Sequence, residues 1–136
     1  MITTGLDEFI AANEAFPAEL TRALQGVAEA TGRRIQTRAQ AILRSKVRGA
    51  PIQITVHSEP AKHQVRVTAE AATGQPTTMA LWFEAGTVPR HQRGGRFTGQ
   101  IQALHYMRDS AAEEDAVYRR ELEAVALATA MRVFKA

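Results

Sequence analysis

Glu84 is the residue of this chain best placed to do acid–base work. It lies in "LWFEAGT", residues 81–87, an apolar run that holds the single tryptophan and one carboxylate and breaks at Gly86. A carboxylate set among apolar side chains is a form that general bases take. The rest of such a site is missing nearby. No second carboxylate or histidine stands close in sequence to complete an acid/base pair. The four histidines, His57, His63, His91 and His105, show no metal-binding spacing, and there is no HExxH. His57 and His63 flank a hairpin and read as polar surface residues. The serines at 45, 58 and 110 have no nucleophile setting, and GxSxG is absent. A structural role therefore outweighs catalysis for Glu84. It would accept hydrogen bonds from the Gly86–Thr87 turn, or pair with an arginine of a neighbouring chain.

The second chemical feature follows at once. "RHQRGGRFTGQ" places Arg90, Arg93 and Arg96 three residues apart on a glycine-rich segment with no acid, and Phe97 is its one aromatic. Guanidinium groups on such a backbone suit phosphates or an acidic partner. A single aromatic gives too little stacking to read single-stranded sequence. The glycines do not fall into GxGxxG or GxxxxGK[ST], so this is not a nucleotide loop. It reads as a flexible basic loop over about 87–102, lining a channel or docking on a partner, with a merely solvated loop as the plain alternative.

The bulk numbers frame these residues. The 136 residues make one domain with a single core. Aromatics are 6% of the chain, so the core must rest on Leu, Ile, Val and Ala. Zero cysteines exclude disulfides and thiolate metal sites. No apolar run nears the ~20 residues that span a bilayer, and "MITTGLDEF" lacks the parts of a secretion signal. The expectation is a soluble protein made in the cytoplasm, with no cofactor and no membrane. Net charge is +3, but its distribution says more. Residues 1–16 hold three acids and no base, residues 17–50 seven bases and two acids, and residues 85–102 three arginines alone. That polarity permits contact with nucleic acid or an acidic surface.

The elements that must position these residues read as follows. "GLDEFIAANEAF" predicts a short amphipathic helix with Leu6, Phe9, Ile10 and Phe16 on one side. Pro17 predicts the first position of a new helix. From there Leu20, Leu24, Val27, Thr31, Ile35, Arg38 or Ala39, and Ile42 mark one helical face to about residue 47, with Arg22, Arg33, Arg34, Arg44 and Arg48 opposite. Such a helix is about 45 Å long, against a diameter of about 28 Å for a compact chain of this size. It must bend, with Gly32 as the place, or project toward neighbours. "PIQITVHSE" and "HQVRVTAE" alternate as an antiparallel hairpin, with Ile52, Ile54, Val56, Val65, Val67 and Ala69 on the core face. "MALWFEAG" predicts a third strand, and "ALHYM" a short extended piece. A second long helix follows, capped by Asp109 or Ser110, its N-terminal end loaded by Glu113, Glu114 and Asp115. Val117, Leu122, Val125, Thr129 and Val133 form its buried stripe. The class is α+β: a long N-terminal helix, a small antiparallel sheet of hairpin plus third strand, and a long C-terminal helix.

This order of elements, with "GLDEF", "ALWFEAGT" and "ALHYMRDSAAEEDAVYRRELEAVA", resembles the small tail-completion, or head–tail joining, proteins of long-tailed bacteriophages. Members open with "GL" and an acidic-apolar helix. They carry an aromatic strand ending in "EFGT" or "EyGT", then a variable loop and a "PF(L/M)RPA" turn into a C-terminal helix. Phe83, Glu84, Ala85, Gly86 and Thr87 match the first motif, with Ala85 replacing its aromatic. His105 to Ser110 match the second, with His105 and Asp109 where prolines are usual. The family's "PVDTGRLR" segment is replaced here by "KVRGAPIQ". The resemblance implies a structural virion protein rather than an enzyme. It would form a ring, often a hexamer, in the neck of the virion, beside the connector and the tail terminator or tube, around the channel that DNA traverses. Arg90, Arg93, Arg96 and Phe97 would reach a neighbouring subunit or the DNA lumen. Two other readings of the residues stand beside it: a non-specific nucleic-acid-binding module using the basic helix and the arginine loop, and a small hydrolase with Glu84 as base.

Overall fold

The computed structural model describes residues 4–76, 78–86, 90–91, 97–99 and 103–134. Its first element, α1, runs from Thr4 to Lys46 as one helix of 43 residues, about 64 Å long. The expected break at Pro17 does not occur. Proline removes the N–H that would have reached the Asn13 carbonyl and crowds the preceding turn. Strong helix formers on both sides, Ala11, Ala12, Glu14 and Ala15 before it and Ala18, Glu19 and Leu20 after it, carry the helix through. Asn13 is exposed, so water can take the freed carbonyl.

The hairpin forms as the alternation predicts. Strand β1, Ile52–Glu59, pairs antiparallel with β2, Gln64–Ala71, with Ile54 opposite Ala69 and Val56 opposite Val67. A 3-10 turn at Pro60–Lys62 joins them, and His63 closes it with φ 53°, in the left-handed region. Glu59 binds Lys62 and Arg66 across the turn. His57 stands opposite Arg66 rather than His63. The hairpin seats on α1 at Gly32. A Cβ there would lie 3.1 Å from methyl carbons of both Val56 and Val65. Gly32 is thus a point of close approach between α1 and the hairpin.

The third strand is not formed. Met79–Ala85 is a short helix, α2. Apolar residues occupy both faces of a period-two reading of "MALWFEA", so alternation could not decide. Helical spacing does separate them. Ala80 is buried and Phe83 packs on the core, while Leu81 is 61% exposed. Farther on, Arg90–His91 (β3) pairs with Phe97–Gly99 (β4) in a two-stranded ladder of its own, with a register shift.

Helix α3 spans Tyr106–Val133, so Tyr106 and Met107 are helical rather than extended. It lies antiparallel to α1. Arg38 meets Glu113, Arg34 meets Glu121, Glu19 meets Arg132, and the Phe16 and Phe134 rings are 5.2 Å apart. Ala39, Leu43, Ile54 and Tyr106 form the buried core, with Phe83, Val67, Ala69 and Leu104 packed around it. Because α3 ends where Phe16 stands, the first twelve residues of α1, 4–15, run on past it, by about 18 Å. Of the described side chains from Asp7 to Ala15, all but Ala12 are exposed.

Candidate functional site

The two segments "LWFEAGT" and "ALHYMRDS", separated in sequence by residues 88–102, meet at Glu84. Its carboxylate accepts from the Met107 amide (2.8 Å to Oε2) and from the Arg108 amide (3.0 Å to Oε1). These are the free N–H groups of the first turn of α3. Glu84 thus caps α3 from another element, where its charge also suits the positive end of the helix dipole. The Asp109 and Ser110 caps do not form. The residue before the helix is His105, with φ 48°, and it gives no side-chain cap. Ser110 lies inside the helix and donates to the Tyr106 carbonyl at 2.6 Å. Glu113, Glu114 and Asp115 fall beyond the first turn.

Backbone bonds tighten the same junction. The Leu104 amide donates to the Phe83 carbonyl (2.9 Å) and the His105 amide to the Glu84 carbonyl (3.1 Å). The Tyr106 hydroxyl, fully buried, donates to the Ala80 carbonyl at 2.7 Å. Burial, with the Glu84 charge adding to it, pushes the Tyr106 phenol up to about 12. Gly86 ends α2 with φ 77° and ψ 176°, a backbone region open in practice only to glycine. Its amide bonds the Trp82 carbonyl at 2.7 Å. The chain therefore leaves at Gly86 and returns at Ala103 through one fastened base. The segment between them carries the arginines. Arg90 and Phe97 belong to the β3–β4 ladder by their backbone, but their side chains, and all of Thr87, Arg93 and Arg96, lie outside the described residues.

A second constellation was not visible in the sequence. Glu114 is 2% exposed and holds two arginines of α1. Arg34 Nε lies 2.8 Å from its Oε2 and Arg38 Nε 2.6 Å from its Oε1. Arg34 also donates to Thr31 Oγ1 (3.1 Å) and reaches Glu121 (3.2 Å), while Arg38 reaches Glu113. The hydrogen bond from Arg34, then that from Arg38, holds the Glu114 carboxyl below the usual carboxylate range. Arg34 was expected on the solvent side of its helix; the pairing turns it inward. Arg38 on the apolar side of the predicted helix, one turn from Arg34, is the signal that points here, and it names no partner.

Beside Glu114 is a cleft of about 380 Å³ between α1, β2 and α3. Thr31, Gly32, Val65, Val67 and Tyr118 line it, and His63 and Asp115 stand at its edge. Asp115 pairs with Arg119 at 3.1 Å on the surface, and Glu114 is held by Arg34 and Arg38. Among the described residues no cluster of His, Asp or Glu could hold a metal ion, and no helix is long and apolar enough to cross a membrane. Comparison with known proteins finds no match to any family model, curated protein or solved structure.

Proposed function

We propose that the chain is a structural protein that assembles with copies of itself, and that it serves as a tail-completion or neck component of a phage virion, ringing the channel at the head–tail junction. The observation that carries this reading is the exposed run of α1 past the end of α3. Helical stability in proteins comes mostly from packing of one face, and this run is joined to the packed part through Pro17, which removes a hydrogen bond of the helix. It makes sense as a surface that a neighbour covers. Two features of the site support the same reading. Glu84 is spent on capping α3 rather than left free for catalysis. The backbone bonds at Gly86 and Leu104 fasten the two ends of the arginine segment, and in this reading Arg90, Arg93 and Arg96 meet a partner or DNA.

The test is assembly. The purified chain, alone and with connector and tail-tube proteins, should give annular particles by negative-stain electron microscopy. Replacing Arg90, Arg93 and Arg96 together by Ala should spare the ring and impair joining of heads to tails. Absence of annular particles under all these conditions would remove the reading. Salt-steep DNA binding by a lasting monomer, lost with the same three arginines, would favour the nucleic-acid-binding alternative.

A further inference from the structure

The hairpin has two edges, and only one of them is attended. The Ala72 amide donates to the Pro51 carbonyl at 2.8 Å. Hydrogen-bonded pairs alternate along an antiparallel ladder, so in this register Ile54 of β1, and Val65 and Val67 of β2, turn their backbone groups outward. On the β1 edge α1 supplies a partner: the Gln36 side chain donates to the Ile54 carbonyl at 2.6 Å. On the β2 edge the outward groups of Val65 and Val67 meet no hydrogen-bond partner among the described residues. Lysine, proline and bulges are the usual guards of a bare edge. Strand β2, "QVRVTAEA", has none of them and keeps an unbroken register.

The cleft of about 380 Å³ beside Glu114 lies along this bare edge. Its lining includes Val65 and Val67 and no residue of β1, and it reaches across Ala28 and Ile35 of α1 to Tyr118 of α3. A strand added to β2 would lie ~4.8 Å from it, and residues directly opposite each other share a face of the sheet. Side chains opposite Val65 and Val67 therefore turn toward the cleft. The one between them turns outward beside Arg66, which is bound to Glu59 and is 59% exposed.

We propose that an extended segment of another protein docks here as a third strand of the hairpin. Two apolar residues, two positions apart, enter the cleft, and an acidic residue between them faces Arg66. Main-chain bonds to Val65 and Val67 supply the hold, while the cleft and Arg66 supply the selectivity. The pattern points to a foreign chain rather than a second copy. Among the described strands the one apolar–acid–apolar stretch is Ala69–Ala71 of β2, and two alanine methyls leave the cleft unfilled. The site does not depend on the ring reading, since it needs only one copy of this chain.

The probe is the capped peptide Thr-Val-Glu-Val-Thr, whose sequence reads the same in either strand direction, with Thr-Val-Lys-Val-Thr as its counterpart. Each is titrated into the isotope-labelled full chain and followed by amide resonances. The glutamate peptide should give saturable shifts centred on the Val65 and Val67 amides and slow their exchange; the lysine peptide should bind more weakly. Arg66→Glu, at an exposed position, should reverse that preference. Ala28→Phe, which fills the cleft from α1 without touching β2, should lose binding of both peptides while circular dichroism stays native. Shifts that are absent, or that centre away from β2, overturn the inference. So does an unchanged preference in Arg66→Glu, which keeps the test decisive even where Ala28→Phe fails to fold. Light scattering with and without peptide separates the remaining occupant. A fall in molar mass on adding peptide means that a second copy was displaced from this edge, and the foreign strand is then overturned. An unchanged mass together with the β2 shifts supports it.

Discussion

The two ends of α1 are built from similar helical sequence and live in opposite surroundings. From Val27 to Leu43 the helix is gripped on several sides. The hairpin sits on Gly32, Arg34 and Arg38 clasp a buried carboxylate of α3, and Ala39 and Leu43 enter the core. From Asp7 to Ala15 its described side chains are exposed, Ala12 apart. The apolar spacing hardly changes along the rod; what changes is whether another element lies beside it. An amphipathic stripe thus records that a helix is covered, but not whether the cover comes from its own chain. The gripped half explains why the chain folds. The bare half is where the proposed assembly is to be tested.

The largest expected effect breaks the gripped half. Glu114→Ala removes the buried partner of two arginines and should cost about 3 kcal/mol, the low end for a broken buried pair because both arginines can turn toward water. Urea unfolding would read it. The sign of its pH dependence follows from the lowered Glu114 carboxyl. The stabilisation is present above the ordinary carboxylate range and is lost as pH falls through the depressed folded value. The variant should lack that part of the acid-side loss.

Glu84→Ala should cost about 2 kcal/mol, because two amides at the start of α3 lose an ionised acceptor. Amide hydrogen exchange should rise first at Met107 and Arg108. If Glu84 were instead a catalytic base, Glu84→Gln would leave stability intact, and that outcome would contradict the capping role.

Tyr106→Phe should cost about 1 kcal/mol, by leaving the Ala80 carbonyl without its donor. Its alkaline behaviour is more telling. Burial, then the Glu84 charge, pushes the folded phenol up to about 12, from its usual value of about 10. Stability that depends on the neutral phenol is present below the unfolded value and falls as pH rises through the folded one. The variant should lose less stability over that range than wild type.

The smallest effects contrast two glycines of α1. Gly26 has open space where a Cβ would go, so Gly26→Ala should stabilise by up to about 1 kcal/mol through helix propensity. Gly32→Ala should destabilise by about 1 kcal/mol, because valines are stiff at χ1 and the new methyl crowds two of them. Thermal melts of the pair separate the gripped flank from the free one.

Much of the fold was legible in the sequence because periodicity is a one-dimensional signal. The hairpin, with Ile54 facing inward, and the two long helices follow from it directly. The misreadings share a physical cause. Pro17 is a local penalty, and the helix formers around it outweigh that penalty. "MALWFEA" is apolar on every side, so only its neighbours decide between strand and helix. The candidate site was read in part. Glu84 was singled out and given a structural role, but its acceptor duty lies on amides more than twenty residues away. In the sequence Glu114 is one of three acids near a helix start, and nothing local shows that Arg34 and Arg38 lie against it. Contacts between distant segments leave no spacing to read.

The most direct measurement is the molar mass of the full chain, by light scattering after gel filtration over a range of concentrations. The account predicts one discrete multiple of 14.9 kDa, with the amides upstream of Pro17 protected from exchange in the assembled form. A chain that stays at 14.9 kDa throughout, alone and with head and tail components added, and whose first turns exchange freely, would contradict it.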